Sequence, residues 1–157
     1  MIQRIQSIFL LSTIVVLVIL SFGTPLLSFQ SLEFNYVLSA TSLKKFDAND
    51  ILVQTDSIPF YIFSLGLIIL TFFSMILYKN LKRQLSLVRL TTLLYFIAMV
   101  ALGFISFLGN YFTGEEQHTT SYSFGFYFFI IGFILLLLAS SGIKKDKKLI
   151  ESVDRIR

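Results

Sequence analysis

Apolar residues run almost without interruption through four stretches of the chain, residues 8–27, 58–78, 87–108 and 122–143. Each is close to the roughly 20 residues that carry a helix across about 30 Å of hydrocarbon. Among Asp, Glu, Lys, Arg and His, only Arg89 falls inside them, at the start of the third. The fourth contains an unbroken apolar run from Phe128 to Leu138. Each Leu, Ile, Phe or Val near a helix centre favours insertion by about 0.3–0.6 kcal/mol. The pattern predicts one domain over residues 1–157, an all-α membrane fold built as a four-transmembrane-helix bundle. Ser21-Phe22-Gly23 resembles a small-x-small cleavage site. The apolar run continues past it through Pro25, Leu26 and Leu27, so the first span is expected to be retained.

The polar segments carry weaker patterns. Leu32, Phe34, Tyr36 and Leu38 alternate with Ser31, Glu33, Asn35 and Ser39, the period of a half-buried strand. Residues 51–55 offer a second strand, with a turn expected over residues 44–50. The first loop is therefore read as a small extracytoplasmic β-hairpin. A lone hairpin is marginal in water, so it must pack on the helix ends or on a partner. In the tail, Leu149, Ile150, Val153 and Ile156 recur at helical spacing among basic residues. This predicts a short cytoplasmic C-terminal amphipathic helix at the membrane surface, near anionic lipids.

Charge sets the orientation. Arg4 precedes the first span, Lys79, Lys82, Arg83 and Arg89 join the second to the third, and six Lys and Arg follow the fourth. Eleven of the 13 basic residues thus lie on one side, and Lys44 and Lys45 on the other. Short basic segments translocate poorly, so both termini and the middle connection are expected in the cytoplasm. The net charge of +4 is accounted for by this topology and gives no reason to expect nucleic acid as a partner.

Composition narrows the chemistry. Cysteine is absent, which removes disulfides and thiolate chemistry, and tryptophan is absent, leaving Tyr for the interfacial belt. The single His, His118, sits in Glu115-Glu116-Gln117-His118, a spacing that matches no firm metal motif. No catalytic residue, metal site or cofactor is expected. The spans lack the buried charge of proton relays and pumps. Gly125, Gly132 and Ala139 recur every seven residues on the fourth span, a stripe that lets a neighbouring helix approach closely.

Three segments carry a family resemblance: residues 1–7 (MIQRIQS), residues 78–90 (YKNLKRQLSLVRL) and residues 143–157 (IKKDKKLIESVDRIR). They resemble the four-helix membrane proteins of Bacteroidota grouped as domain of unknown function 4293. The resemblance implies a bacterial inner membrane and four helices, and implies no activity. All three segments lie on the cytoplasmic side. The expected working surface is therefore the inner face: Arg4, Lys79, Asn80, Lys82, Gln84, Arg89, Asp154, Arg155 and Arg157. The expected role is a non-enzymatic interaction protein or accessory subunit that binds a membrane protein. A small-solute or lipid transporter and a membrane enzyme are the alternatives.

Overall fold

The computed structural model describes residues 3–31, 34–47, 49–109, 111 and 119–154. Four helices dominate: α1 (Gln3–Ser21), α2 (Phe60–Ile76), α3 (Leu81–Phe107) and α4 (Phe124–Asp154). In each, buried positions alternate at intervals of three and four. They are Gln6, Leu10, Thr13, Leu17 and Leu20 on α1; Ser64, Leu67, Thr71 and Ser74 on α2; Gln84, Val88, Thr91, Tyr95, Ala98 and Leu102 on α3. On α4 the same series runs Gly125, Phe129, Gly132, Leu136, Ala139, Ile143 and Asp146. A seven-residue repeat keeps one seam of a helix facing its neighbour when the pair supercoils gently. The helices close a ring in which α1 touches α2 and α4, and α3 touches the same two.

Close approach of α1, α3 and β1 to α4 depends on missing side chains. A Cβ on Gly125 would lie 2.5 Å from the Pro25 carbonyl oxygen. One on Gly132 would collide with the Tyr95 hydroxyl, and one on Gly142 would stand 3.0 Å from Gln6 Cγ. Tyr95 packs against Phe129 with the rings tilted and their centroids 4.4 Å apart. Its ring fills the space that Gly132 leaves open.

At one end of the ring lies a five-stranded antiparallel sheet in the order β4-β3-β2-β1-β5. Its strands are β1 (Pro25–Gln30), β2 (Phe34–Ser39), β3 (Ser42–Asp47), β4 (Leu52–Ser57) and β5 (Thr119–Tyr122). Leu27, Phe29, Tyr36 and Leu38 share one face through the pairs Leu27↔Leu38 and Phe29↔Tyr36, and all four are buried. Leu38 lines a small cavity with Phe60, Leu102 and Ile105, so this face rests on the ends of α2 and α3.

The sheet corrects the expectation of an all-α four-transmembrane-helix bundle with one small hairpin. Pro25–Leu27, taken as the end of the first span, begins β1. Gly23, at φ +87, turns the chain out of the helix, and Thr24 Oγ1 donates to the Ile19 carbonyl at 2.6 Å. Residues 44–50, taken as a turn, are largely β3; the turns fall instead at Ala40-Thr41 and around Asp50, at φ 58. β5 pairs with β1 across more than ninety residues of chain, for example Leu27↔Tyr122. Three helices are long and apolar enough to cross a membrane: Phe60–Lys79, Leu81–Phe107 and Phe124–Ser152. The apolar part of α1, Ile5–Ser21, is shorter. The tail does not form a separate helix either. Neither Gly nor Pro interrupts residues 143–154, and α4 runs on through them.

The glycines yield a stability test. Gly132→Ala is expected to cost about 1–3 kcal/mol through overpacking. Gly66→Ala and Gly103→Ala, where a Cβ meets nothing within 4 Å, should be neutral or slightly stabilising. Unfolding midpoints of the three variants in one detergent decide it.

Candidate functional site

α1 begins, the α2–α3 hairpin turns, and α4 leaves the ring all at the end opposite the sheet. A short 3-10 turn, Leu77–Lys79, joins α2 to α3. Asn80 caps α3 by accepting from the Arg83 backbone N–H at 3.3 Å, satisfying one of the free donors of a helix start. Lys79, Asn80, Lys82 and Arg89 are exposed, with the Lys79 ammonium 6.0 Å from the Tyr78 ring centroid. Gln84, expected on the working surface, is instead buried at the α3 heptad position. Arg4 and Asp154 belong to α1 and α4, but their side chains lie outside the described residues, as do Arg155 and Arg157. Residues 115–118, with His118, also lie outside them. Gly125, Gly132 and Ala139 face the interior of the ring.

Past Ile143, α4 carries Lys144, Lys145, Lys147 and Lys148. Of these, Lys147 reaches Glu151 at 3.6 Å along the helix. Together with Lys79, Lys82, Arg83 and Arg89 they make this end strongly basic. Leu149 and Ile150, about half exposed, interrupt the charge.

Beneath the lysines, Asp146 turns inward and is only 6% exposed. Its Oδ2 accepts from Gln6 Nε2 of α1, itself 3% exposed. Asp146 Oδ1 has no hydrogen-bond partner among the described residues. A buried carboxylate oxygen left unpaired is costly, and ionisable groups inside membrane bundles are rare and usually functional. Gln84 of α3 is buried near the same end. Tyr95 of α3 packs against Gly132 of α4, and counting eleven residues in opposite directions brings Gln84 opposite Ile143. At this end the interior closes with the Gln6 amide on the Asp146 carboxylate, and Lys144, Lys145 and Lys148 are exposed on the same turns of α4.

The sequence pattern missed Asp146, whose place among four lysines reads as tail. The signal was present. Gly125, Gly132 and Ala139 set a seven-residue stripe, and the next position is Asp146.

The buried Tyr95 hydroxyl also has no hydrogen-bond partner among the described residues, whereas several interior hydroxyls are satisfied within their own helix. Thr13, Thr71, Ser74 and Thr91 donate to Phe9, Leu67, Leu70 and Leu87 carbonyls one turn back at 2.7–2.9 Å. Among the described residues no group of three or more His, Asp or Glu could hold a metal. Two clefts open between helices and are apolar. One of about 450 Å³ lies between α1 and α2 at Val18, Phe22, Tyr61 and Leu65. One of about 370 Å³ lies between α2 and α3 at Phe63, Ile97 and Ala101.

A family model for the domain of unknown function DUF4293 matches residues 2–156. Compared with curated proteins, the chain has no match.

A double-mutant cycle tests the amide–carboxylate contact. Gln6→Leu strands the buried carboxylate and is expected to cost about 2–3 kcal/mol, and Asp146→Leu strands the amide. Combining Gln6→Leu with Asp146→Leu should restore most of the loss, because paired apolar replacements leave nothing unbonded. Unfolding in detergent measures the coupling, and additive losses would show that the two side chains act independently.

Proposed function

Starting from the fact that the chain belongs to the DUF4293 family, defined as a domain of unknown function, we propose that it is a multi-pass protein of a bacterial inner membrane. It works by binding another membrane protein as an accessory subunit, and performs no catalysis itself. Its basic end lies in the cytoplasm and its sheet on the opposite side.

The observation that carries this reading is the polarity of α2. Its buried positions are Ser64, Leu67, Thr71 and Ser74, while Ile62, Phe63, Leu65, Ile69, Phe72, Phe73 and Ile76 are exposed. A helix on a water-soluble surface shows the reverse. Exposed apolar area of this extent calls for lipid or protein to cover it. Charge supports the orientation. Eight described Lys and Arg crowd the basic end, whereas Lys44 and Lys45 at the sheet end are offset by Asp47, Asp50 and Asp56.

The docking surface is the extension of α4. Beyond Ile143 it continues for 11 residues, a rise of roughly 16 Å at about 1.5 Å per residue. A helix continuous with a span projects from the bundle, offering Lys145, Lys148, Leu149 and Ile150 to an acidic, partly apolar partner. The other exposed lysines meet anionic headgroups, each worth about 1 kcal/mol. The two apolar clefts favour a second reading, lipid transport.

Orientation and partnership are separately testable. The chain has no cysteine, so single-Cys variants report cleanly. Lys44→Cys should react with an impermeant maleimide on intact cells with the outer membrane opened, and Lys148→Cys only after the inner membrane is permeabilised. The reverse pattern overturns the orientation. For partnership, the chain is tagged after Arg157 in its native host and purified in mild detergent for native mass analysis. A stoichiometric second protein, lost in K145E/K148E at equal membrane levels, is the expected result. Recovery of this chain alone, with the tag leaving it functional, would move the assignment to lipid transport.

A further inference from the structure

β4 is the last strand of the sheet, hydrogen-bonded to β3 on one side and to no strand on the other among the described residues. All six of its residues are exposed. Natural edges are usually blunted by proline, lysine, a bulge or brevity; the register shift of the β3–β4 ladder falls between Lys45 and Phe46, and Gln54–Ser57 pair regularly with β3. β4 has no Pro or Lys, a single acid in Asp56, and the exposed apolar run Ile51, Leu52 and Val53 beside it.

The ladder fixes which backbone groups are free. The Ile58 N–H donates to the Thr41 carbonyl at 3.1 Å. The same register continues through Leu43↔Asp56 and Lys45↔Gln54. Hydrogen-bonded and open pairs alternate in an antiparallel ladder. Asp56 and Gln54 therefore turn their backbone groups toward β3, and Thr55 and Ser57 turn theirs outward.

We infer that β4 pairs edge to edge with β4 of a second copy of this chain, antiparallel about a twofold axis at Thr55. In that register Thr55 meets Thr55, a favourable cross-strand pair, and Gln54 of each copy stands opposite Asp56 of the other. The chemistry is self-complementary. Gln54 Nε2 already donates to both Asp56 carboxylate oxygens along its own strand, at 3.0 and 3.1 Å, and across the seam the amide and carboxylate meet twice. Neighbouring registers are worse. Centred on Asp56, the two carboxylates face each other; centred on Gln54, each Asp56 faces Leu52.

The bundle geometry permits it. The twofold axis of an antiparallel strand pair is perpendicular to the sheet. The inner face of this sheet rests on the ends of α2 and α3, so the axis runs along the helices. Two copies in the same orientation in one membrane can then join their sheets, a step that rests on the membrane reading above. The sheet end becomes a ten-stranded platform, and the basic end stays free for a different partner.

The test is disulfide trapping in native membranes. Thr55→Cys at a hydrogen-bonded pair sits at a Cα separation of about 5.5 Å, inside the disulfide range of about 4.4–6.8 Å. Under mild oxidation T55C is expected to give several-fold more covalent dimer than K44C, which lies one strand in from the edge. A second variant guards against a chance collision. Thr55→Pro removes an outward N–H and spares the β3–β4 ladder, so native mass analysis should show the wild-type dimer reduced to monomer. T55C cross-linking no better than K44C, T55C trapping a different protein, or T55P remaining dimeric would each overturn the proposal. Resistance of the same variants to alkaline extraction reports the membrane reading independently.

Discussion

The contact between α1 and α4 is the constraint on which the remaining architecture depends. The apolar part of α1, Ile5–Ser21, is shorter than the other three apolar segments, so its position relies on its neighbours more than on its own length. α4 supplies that hold by removing side chains at Gly125, Gly132 and Gly142, each of which admits an atom of α1, α3 or β1. Van der Waals packing drives helix association where lipid is as apolar as leucine. The seam is closed at one end by Gln6 on Asp146 and at the other by the Pro25 carbonyl over Gly125. Since β1 follows α1 after three residues, fixing α1 also fixes the strand that pairs with both β2 and β5.

That seam also explains why hydroxyls line the interior. A heptad with large residues at one position and small or polar ones at the other lets the helices interlock closely. The smaller position is filled by Thr13, by Ser64 and Thr71, by Thr91 and Ala98, and by Gly132 and Ala139 on successive helices. Each hydroxyl here donates to its own helix one turn back, or one residue less for Ser64. The single exchange between helices among them is Ser21 with Ser64, whose oxygens stand 2.7 Å apart. Asp146 and Gln6 differ in kind, because neither can satisfy itself locally and each needs the other helix.

How much of this was legible depended on the range of the interactions. The apolar stretches at 58–78 and 87–108 mark α2 and most of α3, because burial of a continuous run is a local property. The strand at Phe34–Ser39 was visible from its alternation. β1 was not. Pro25-Leu26-Leu27 is apolar enough to extend a span, and only Gly23 with its positive φ shows where the helix stops. β5 was less legible still, since Thr119-Thr120-Ser121-Tyr122 carries no apolar alternation and becomes a strand by pairing with β1. Asp146 was hidden by its neighbours. Charge density around it outweighed the helical phase, although the phase was continuous from Gly125. At the candidate site, Lys79, Lys82 and Arg89 are exposed at the end opposite the sheet. Gln84 is not, because its heptad register, shared with Thr91 and Ala98, turns it inward.

The two ends of the bundle therefore solve opposite problems. At the sheet end the helix termini are covered by backbone that pairs with itself, and among the described residues the free backbone edges are those of β4 and β5. At the basic end no sheet covers the helices. Instead α4 continues past the ring with Lys144, Lys145 and Lys148 exposed, while Asp146 and Gln6 close the interior below. A helix that leaves its bundle without a break transmits position rigidly, since no hinge residue separates Ile143 from Ser152. Whatever contacts Lys148 or Ile150 therefore acts on the same rigid element that carries Asp146, Gly132 and Gly125, and through Gly125 on β1. The continuity of α4 makes it the one element shared by the exposed basic surface, the α1 seam and the root of the sheet.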